Sequence, residues 1–164
     1  MKFPIFFLLS AFIATAQAQP LKSATTEELI EKLAEPYSNS RSLTPRNLNI
    51  QPRSVDMMIQ FEFDSSKIKA ESKPILDSLA GALKNDRLKD VPFLVEGHTD
   101  AKGTVGYNQA LSIRRANSVV EYLTQQGIEA ERLKPIGKGF AELFVSDKPF
   151  AMENRRVRIT TITQ

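Results

Sequence analysis

The feature that most constrains the fold is a switch of hydrophobic period, made twice between residues 55 and 126. Ile59, Phe61 and Phe63 alternate with Met58, Gln60 and Glu62, the period of a half-buried strand beginning near Val55. The run stops at Asp64-Ser65-Ser66. A helix is expected next, with Ser72 as N-cap and Pro74 in the first turn, where its missing N–H costs little. Ile75, Leu76, Leu79, Ala80 and Leu83 supply its apolar stripe. Pro92 to Glu96 read as a second strand ended by Gly97, and a loop follows over residues 98–103. Thr104 is placed to cap a long helix that runs to Gln126, with Gly127 as its stop. Leu133 to Gly137 and Arg156 to Ile162 are two further short strands, the last with Val157 and Ile159 inward and Arg156 and Arg158 outward. A strand–helix–strand unit within one sheet is parallel. The expected fold is therefore an α/β (α+β) sandwich over residues 55–164, a small mixed four-stranded sheet with two main helices on one face.

The first 18 residues are of another kind. Lys2 precedes an apolar run from Phe3 to Ala14, and Ala16-Gln17-Ala18 offers a small-residue cleavage site. That is the pattern of a secretory signal peptide, and the run falls short of the roughly 20 residues that span a bilayer. No later stretch is apolar enough to span, so the mature chain is expected to be exported and soluble. The chain has no cysteine, so an exported form has no disulfide to hold it and no thiol to carry a lipid. Residues 19–54 read as a poorly ordered linker with one short amphipathic helix: Thr25-Thr26-Glu27-Glu28 starts it, Leu29, Ile30 and Leu33 give it a face, and Pro36 ends it. That helix could dock on an envelope protein partner, pack on its own domain or stay free.

Charge excludes one class of function. With 22 Lys plus Arg against 19 Asp plus Glu, the net charge of +3 implies no nucleic-acid partner without a clustered basic face.

Parallel strands bring their carboxyl ends to one side of the sheet, where ligands of open α/β folds bind. Asp64 follows the first strand and Asp100 the second, so both acids are delivered there. Asn108, Leu111 and Arg115, spaced three and four apart, share one face of the long helix that starts from the same loop. A half-buried guanidinium wants a carboxylate, which either Asp100 or a ligand could supply. The weaker candidates are soon weighed. His98, the single histidine, is more simply a loop residue bonded to backbone than a general base. No second His and no Cys complete a metal set, and Gly137-Lys138-Gly139 is too short for a phosphate-binding fingerprint, so neither metal nor cofactor is expected. Arg155-Arg156 reads as a solvated strand edge.

These residues together resemble the C-terminal domain family of OmpA and MotB. The resemblance rests on Glu96-Gly97-His98-Thr99-Asp100, Gly103-Thr104, Tyr107-Asn108, Leu111-Ser112 and Arg115-Ala116. Phe61-x-Phe63-Asp64-Ser65 before them and Asn154-Arg155-Arg156-Val157 after them extend it over about residues 57 to 162. It departs from the family at Phe150-Ala151, where many members carry Gly-Arg. The resemblance implies binding of peptidoglycan through the diaminopimelate of its stem peptide. It assigns Asp100 to the ammonium and Arg115 to the carboxylate of that zwitterionic end, which suits an acceptor-only acid and a bidentate guanidinium. Asp64, Thr99, Asn108, Leu111 and Arg155 match positions that line the family's pocket. Two other functions compete: a wall hydrolase using His98, Asp64 or Asp100 as acid and base, and a protein–protein adaptor acting through residues 19–54. Release of soluble fragments from purified sacculi would mark the hydrolase.

Overall fold

A computed structural model of the chain describes residues 19–34 and 51–163. The signal segment, Pro36 and most of the polar stretch after it lie outside the described residues. The chain runs α1 (Thr26–Leu33), β1 (Ser54–Met57), α2 (Lys73–Leu83), β2 (Phe93–His98), α3 (Val105–Gln125), β3 (Leu133–Gly139) and β4 (Val157–Thr161). The sheet order is β1-β4-β2-β3. Strand β4 pairs antiparallel with both β1 and β2, and β2 pairs parallel with β3. β1 and β2 are thus parallel, as the strand–helix–strand reading requires, but the last strand is inserted between them.

Side-chain alternation separates the two faces. Val55 and Met57, Phe93 and Val95, and Val157 and Ile159 point into the core with Leu76, Leu79, Leu83, Val119 and Leu123 of α2 and α3. The opposite face carries paired charge. Asp56, opposite Arg158 in the β1–β4 register, accepts hydrogen bonds from both Arg156 and Arg158. Arg156 is therefore buried rather than on a solvated edge, and its guanidinium also donates to the Glu142 carbonyl at 3.2 Å. Glu96 accepts from Thr160 at 2.9 Å and lies 3.5 Å from Lys138.

Glycine brings α3 unusually close to the sheet. Gly97 and Gly137 are cross-strand partners in β2 and β3, and a Cβ on either would meet Ser112 or Ile113 of α3. Because the backbone passes that near, the Ser112 hydroxyl accepts from the Gly139 N–H at 2.9 Å and donates to the Gln109 carbonyl at 2.9 Å.

The structure corrects two expectations. The first strand ends at Met57, not at Phe63. The Ile59 N–H bonds back to the Met57 carbonyl, turning the chain out of the sheet. Residues 60–69 then pair with themselves, Glu62 N–H to Lys67 carbonyl at 2.9 Å and Lys69 N–H to Gln60 carbonyl at 3.0 Å. Phe63, read as a core residue, stands 97% exposed near the tip of this excursion. Ser72 occupies the N-cap position of α2 without capping it; its hydroxyl accepts from the Gln60 N–H at 2.8 Å and anchors the excursion instead.

The second correction concerns the described part of the linker, residues 19–34. Helix α1 forms as read, with a capping box in which the Thr25 side chain accepts from the Glu28 N–H and Glu28 from the Thr25 N–H. Its Leu29 and Leu33 are sealed in the main core beside α2. Arg53 donates to the Lys32 and Glu31 carbonyls at 2.9 and 3.1 Å, satisfying the last turn. Leu21 pairs in parallel with Met57 through bonds to Asp56 and Met58, each 2.8 Å, and so covers the edge of β1. The ordered domain therefore begins well before residue 55. Among the described residues no helix is long and apolar enough to cross a membrane.

Candidate functional site

A cleft of ≈ 700 Å³ opens where β2 ends, between the N-terminal half of α3 and the excursion after β1. Asp64, Thr99, Asp100, Asn108, Leu111, Arg115 and Arg155, all seven residues singled out from the sequence, line it. They arrive from three stretches of the chain far apart in sequence, around residue 64, over residues 99–115 and at residue 155.

Asp64 sits at the tip of the excursion, in the left-handed region at φ 49°, which a short polar side chain tolerates. It reaches the cleft on the excursion, not at the end of a strand, and accepts a hydrogen bond from the Tyr107 hydroxyl. That bond raises the Tyr107 phenol above its ordinary value. Thr99 and Asp100 follow β2. The Thr99 N–H donates to the Gly139 carbonyl at 2.8 Å, while its hydroxyl is buried without a partner among the described residues. Asn108 is buried and donates to the Lys102 and Thr104 carbonyls at 2.9 and 3.2 Å. Its amide N–H groups hold the loop that carries Asp100, and Leu111 one turn later gives the cleft an apolar floor.

The two central charges are not partners of each other. Asp100 forms its ion pair with Arg155 at 2.7 Å and accepts the Lys102 N–H at 3.1 Å. Arg115 donates through Nε to the Ser65 carbonyl at 3.2 Å and lies over the Phe61 ring, 4.8 Å from its centre. Among the described residues no carboxylate comes within 4.0 Å of it, and no protein acceptor takes its two Nη groups. Burial, opposed in part by the neighbouring Tyr107, pulls the Arg115 guanidinium below its usual value, which still leaves it charged. A structural Asp100–Arg115 pair is thus replaced by Asp100–Arg155, with the Nη groups of Arg115 left without an acceptor among the described residues in the same cleft.

His98 is not a loop residue. It closes β2, its N–H donates to the Arg156 carbonyl at 2.9 Å, and its ring is buried with both nitrogens unpartnered among the described residues. Burial first, then the charges of Arg156 and Arg158, push it down to about 3. It does not line the cleft. Asn154 has a role that spacing did not indicate: its side chain bonds Val145 N–H and the Lys148 and Pro149 carbonyls, all at 2.9–3.2 Å, tying down the loop ahead of Arg155. Tyr107 and Phe61 were also missed as wall residues. Tyr107 precedes Leu111 by four and Arg115 by eight, so the signal was in the helical spacing; Phe61 looked like an ordinary strand residue.

The mixed sheet, the helices on one side and the acid-and-guanidinium cleft at the end of β2 define an OmpA-like α/β domain. The OmpA family model matches residues 60–158, and the chain belongs to that family. It is 42% identical over 84 residues to outer membrane protein A of Serratia marcescens, covering 51% of this chain and 23% of that protein. It is 41% identical over 86 residues to outer membrane porin F of Pseudomonas aeruginosa, covering 52% and 24%. The matched part is thus about a quarter of the length of these relatives. Among solved structures it is similar to the peptidoglycan-associated lipoprotein from Burkholderia pseudomallei, with a TM-score of 0.55, 27% identity, and 67% and 90% of the two chains covered. The cell wall anchor of the T6SS from Pseudomonas aeruginosa aligns at 0.54 and 28%, covering 69% and 82%. The periplasmic domain of Helicobacter pylori MotB shares the fold, with a TM-score of 0.61 at 23% identity over 70% and 84% of the chains.

Proposed function

We propose that this chain binds peptidoglycan non-covalently in the periplasm, holding the free end of diaminopimelate, and tethers an envelope component to the wall. The observation that carries the reading is Arg115: a half-buried guanidinium whose two Nη groups have no acceptor among the described residues, facing the same cleft as Asp100. That end of diaminopimelate bears an ammonium and a carboxylate on one carbon. The carboxylate would take the Arg115 fork, and the ammonium would join the carboxylate of Asp100, which Arg155 and the Lys102 N–H hold in place. Thr99 lines the cleft, its N–H held by the Gly139 carbonyl, and Leu111 and Phe61 exclude water from one side. The printed descriptions of a peptidoglycan-associated lipoprotein and a cell wall anchor among similar structures support the same reading.

The hydrolase alternative loses one of its three acid and base candidates, because His98 is sealed away from the cleft and held neutral near pH 7. The adaptor alternative loses the apolar face of α1, since Leu29 and Leu33 are spent on the domain's own core. Co-sedimentation with diaminopimelate-type sacculi tests the proposal. Wild type should pellet while Asp100→Ala and Arg115→Ala stay in solution. Sedimentation of both variants at the wild-type level, or release of soluble muropeptides by wild type, would overturn it.

A further inference from the structure

A second hollow of ≈ 350 Å³ adjoins the cleft and shares Phe61, Lys69, Arg115 and Arg155 with it. Arg115, stacked on Phe61, therefore stands at the junction of the two. The hollow adds Lys22 on its far side, with Met58, Ile59 and Met152 as apolar wall. Four of its lining residues are cations, and Glu71 is its single acid. Among the described residues neither Lys22 nor Lys69 has a carboxylate within 4.0 Å, so this charge is not consumed internally. Lys22 is positioned by the backbone bonds of its neighbour Leu21 to β1, and it precedes the family match, which begins at residue 60. The hollow is thus completed by a segment that lies outside the residues the family model matches.

Like-signed charges lining a recess of low dielectric concentrate anions there. A guanidinium fork selects a planar, bidentate partner, whereas lysine ammonium groups on flexible stems accept a carboxylate in many poses. We infer that the Lys22–Lys69 hollow is a second anionic subsite, which takes a further carboxylate of the same wall peptide whose zwitterionic end occupies the cleft. This rests on the peptide-binding reading of the cleft. The ligand is then a peptide that carries a further carboxylate beyond its zwitterionic end, not that end alone. The apolar wall beside the lysines suits a small aliphatic side chain.

Calorimetric titration of wild type and of Lys22→Ala, the one lysine of the hollow that does not also line the cleft, with two probes decides the matter: D-norleucine, which carries the zwitterionic end alone, and the stem tripeptide alanyl-γ-glutamyl-diaminopimelate. Wild type should bind the tripeptide more tightly than the free amino acid. Lys22→Ala should lose up to about fivefold on the tripeptide, the most that one exposed ion pair typically supplies, and nothing on the free amino acid. Unchanged free-ligand affinity also establishes that the variant is folded. An equal loss on both probes, or no loss on the tripeptide, would overturn the subsite while leaving the cleft assignment standing. Failure of wild type to bind either probe would remove the cleft assignment and the subsite with it.

Discussion

Substituting Gly137 by alanine should separate α3 from the sheet at the point where the two run closest. A Cβ there would lie 2.7 Å from the Ser112 hydroxyl, 2.8 Å from the Ile113 amide nitrogen and 2.9 Å from the Ile113 Cβ. Ordinary contacts at a Cβ begin near 3.4 Å, so helix and strand must part by about 0.6 Å (3.4 minus 2.8). The backbone nitrogen cannot swing aside as a side-chain tip would. Forced overpacking of this kind costs roughly 1–3 kcal/mol. The same displacement stretches the 2.9 Å bond from the Gly139 N–H to the Ser112 hydroxyl toward 3.5 Å, adding about 1 kcal/mol. Together the loss is about 3 kcal/mol, or on the order of 10 °C in Tm for a domain of this size. Urea unfolding followed by circular dichroism measures it. Gly106→Ala is the matched control, because nothing lies within 4 Å of a Cβ at that position in the first turn of α3. It should stabilise the domain by roughly 0.5 kcal/mol through the unfolded chain. If Gly137→Ala unfolds within about 0.5 kcal/mol of wild type, the close approach of α3 to β3 is wrong, and with it the placement of the helix that presents Arg115.

Three further outcomes are expected. His98 is pushed down to about 3, so between that pH and about 6.5 the unfolded chain binds a proton that the folded chain refuses. Its contribution is therefore complete above pH 6.5 and lost as pH falls, by roughly 2 kcal/mol between pH 7 and 5; urea titrations should show a shallower acid loss for His98→Gln, and parallel curves would refute the assignment. Leu29→Ala should cost the whole domain about 2–5 kcal/mol in a single unfolding transition, because α1 is built into the core; an unchanged midpoint would return α1 to the status of an appendage. Arg115→Lys should fold as wild type yet bind sacculi nearly as poorly as Arg115→Ala, since an ammonium cannot reproduce the fork or the stack on Phe61. Co-sedimentation checks it, and wild-type binding would show that only the charge matters.

The alternation of periods announced β2, both main helices and the last two strands, because each buries one face and the spacing records it. The capping box of α1 and the Thr104 cap of α3 were legible for the same local reason. Residue chemistry also marked the cleft: Asp64 and Asp100 stand out as acids after strands and Arg115 as a charge on one face of the long helix, and tertiary structure brings them to one place. Other matters were settled only by folding. The alternation of Ile59, Phe61 and Phe63 looks like a strand, but β4 begins at Val157 opposite Met57 and so offers it no partner past that point. The chain turns away and pairs with itself, which delivers Asp64 to the cleft and Phe63 to solvent. Which cation pairs with Asp100 depends on two loops and a helix meeting in space, and no spacing rule covers that encounter. Sequence alone determined which segments bury a face and which carry charge. Tertiary structure decided that the last strand enters between the first two, that α1 completes the core, and that Arg115 is left with hydrogen-bonding capacity to spare. Periodicity is a local property of the chain, whereas strand order and ion pairing are contests among segments distant in sequence, decided by which contacts bury the most surface and leave the fewest charges unmatched.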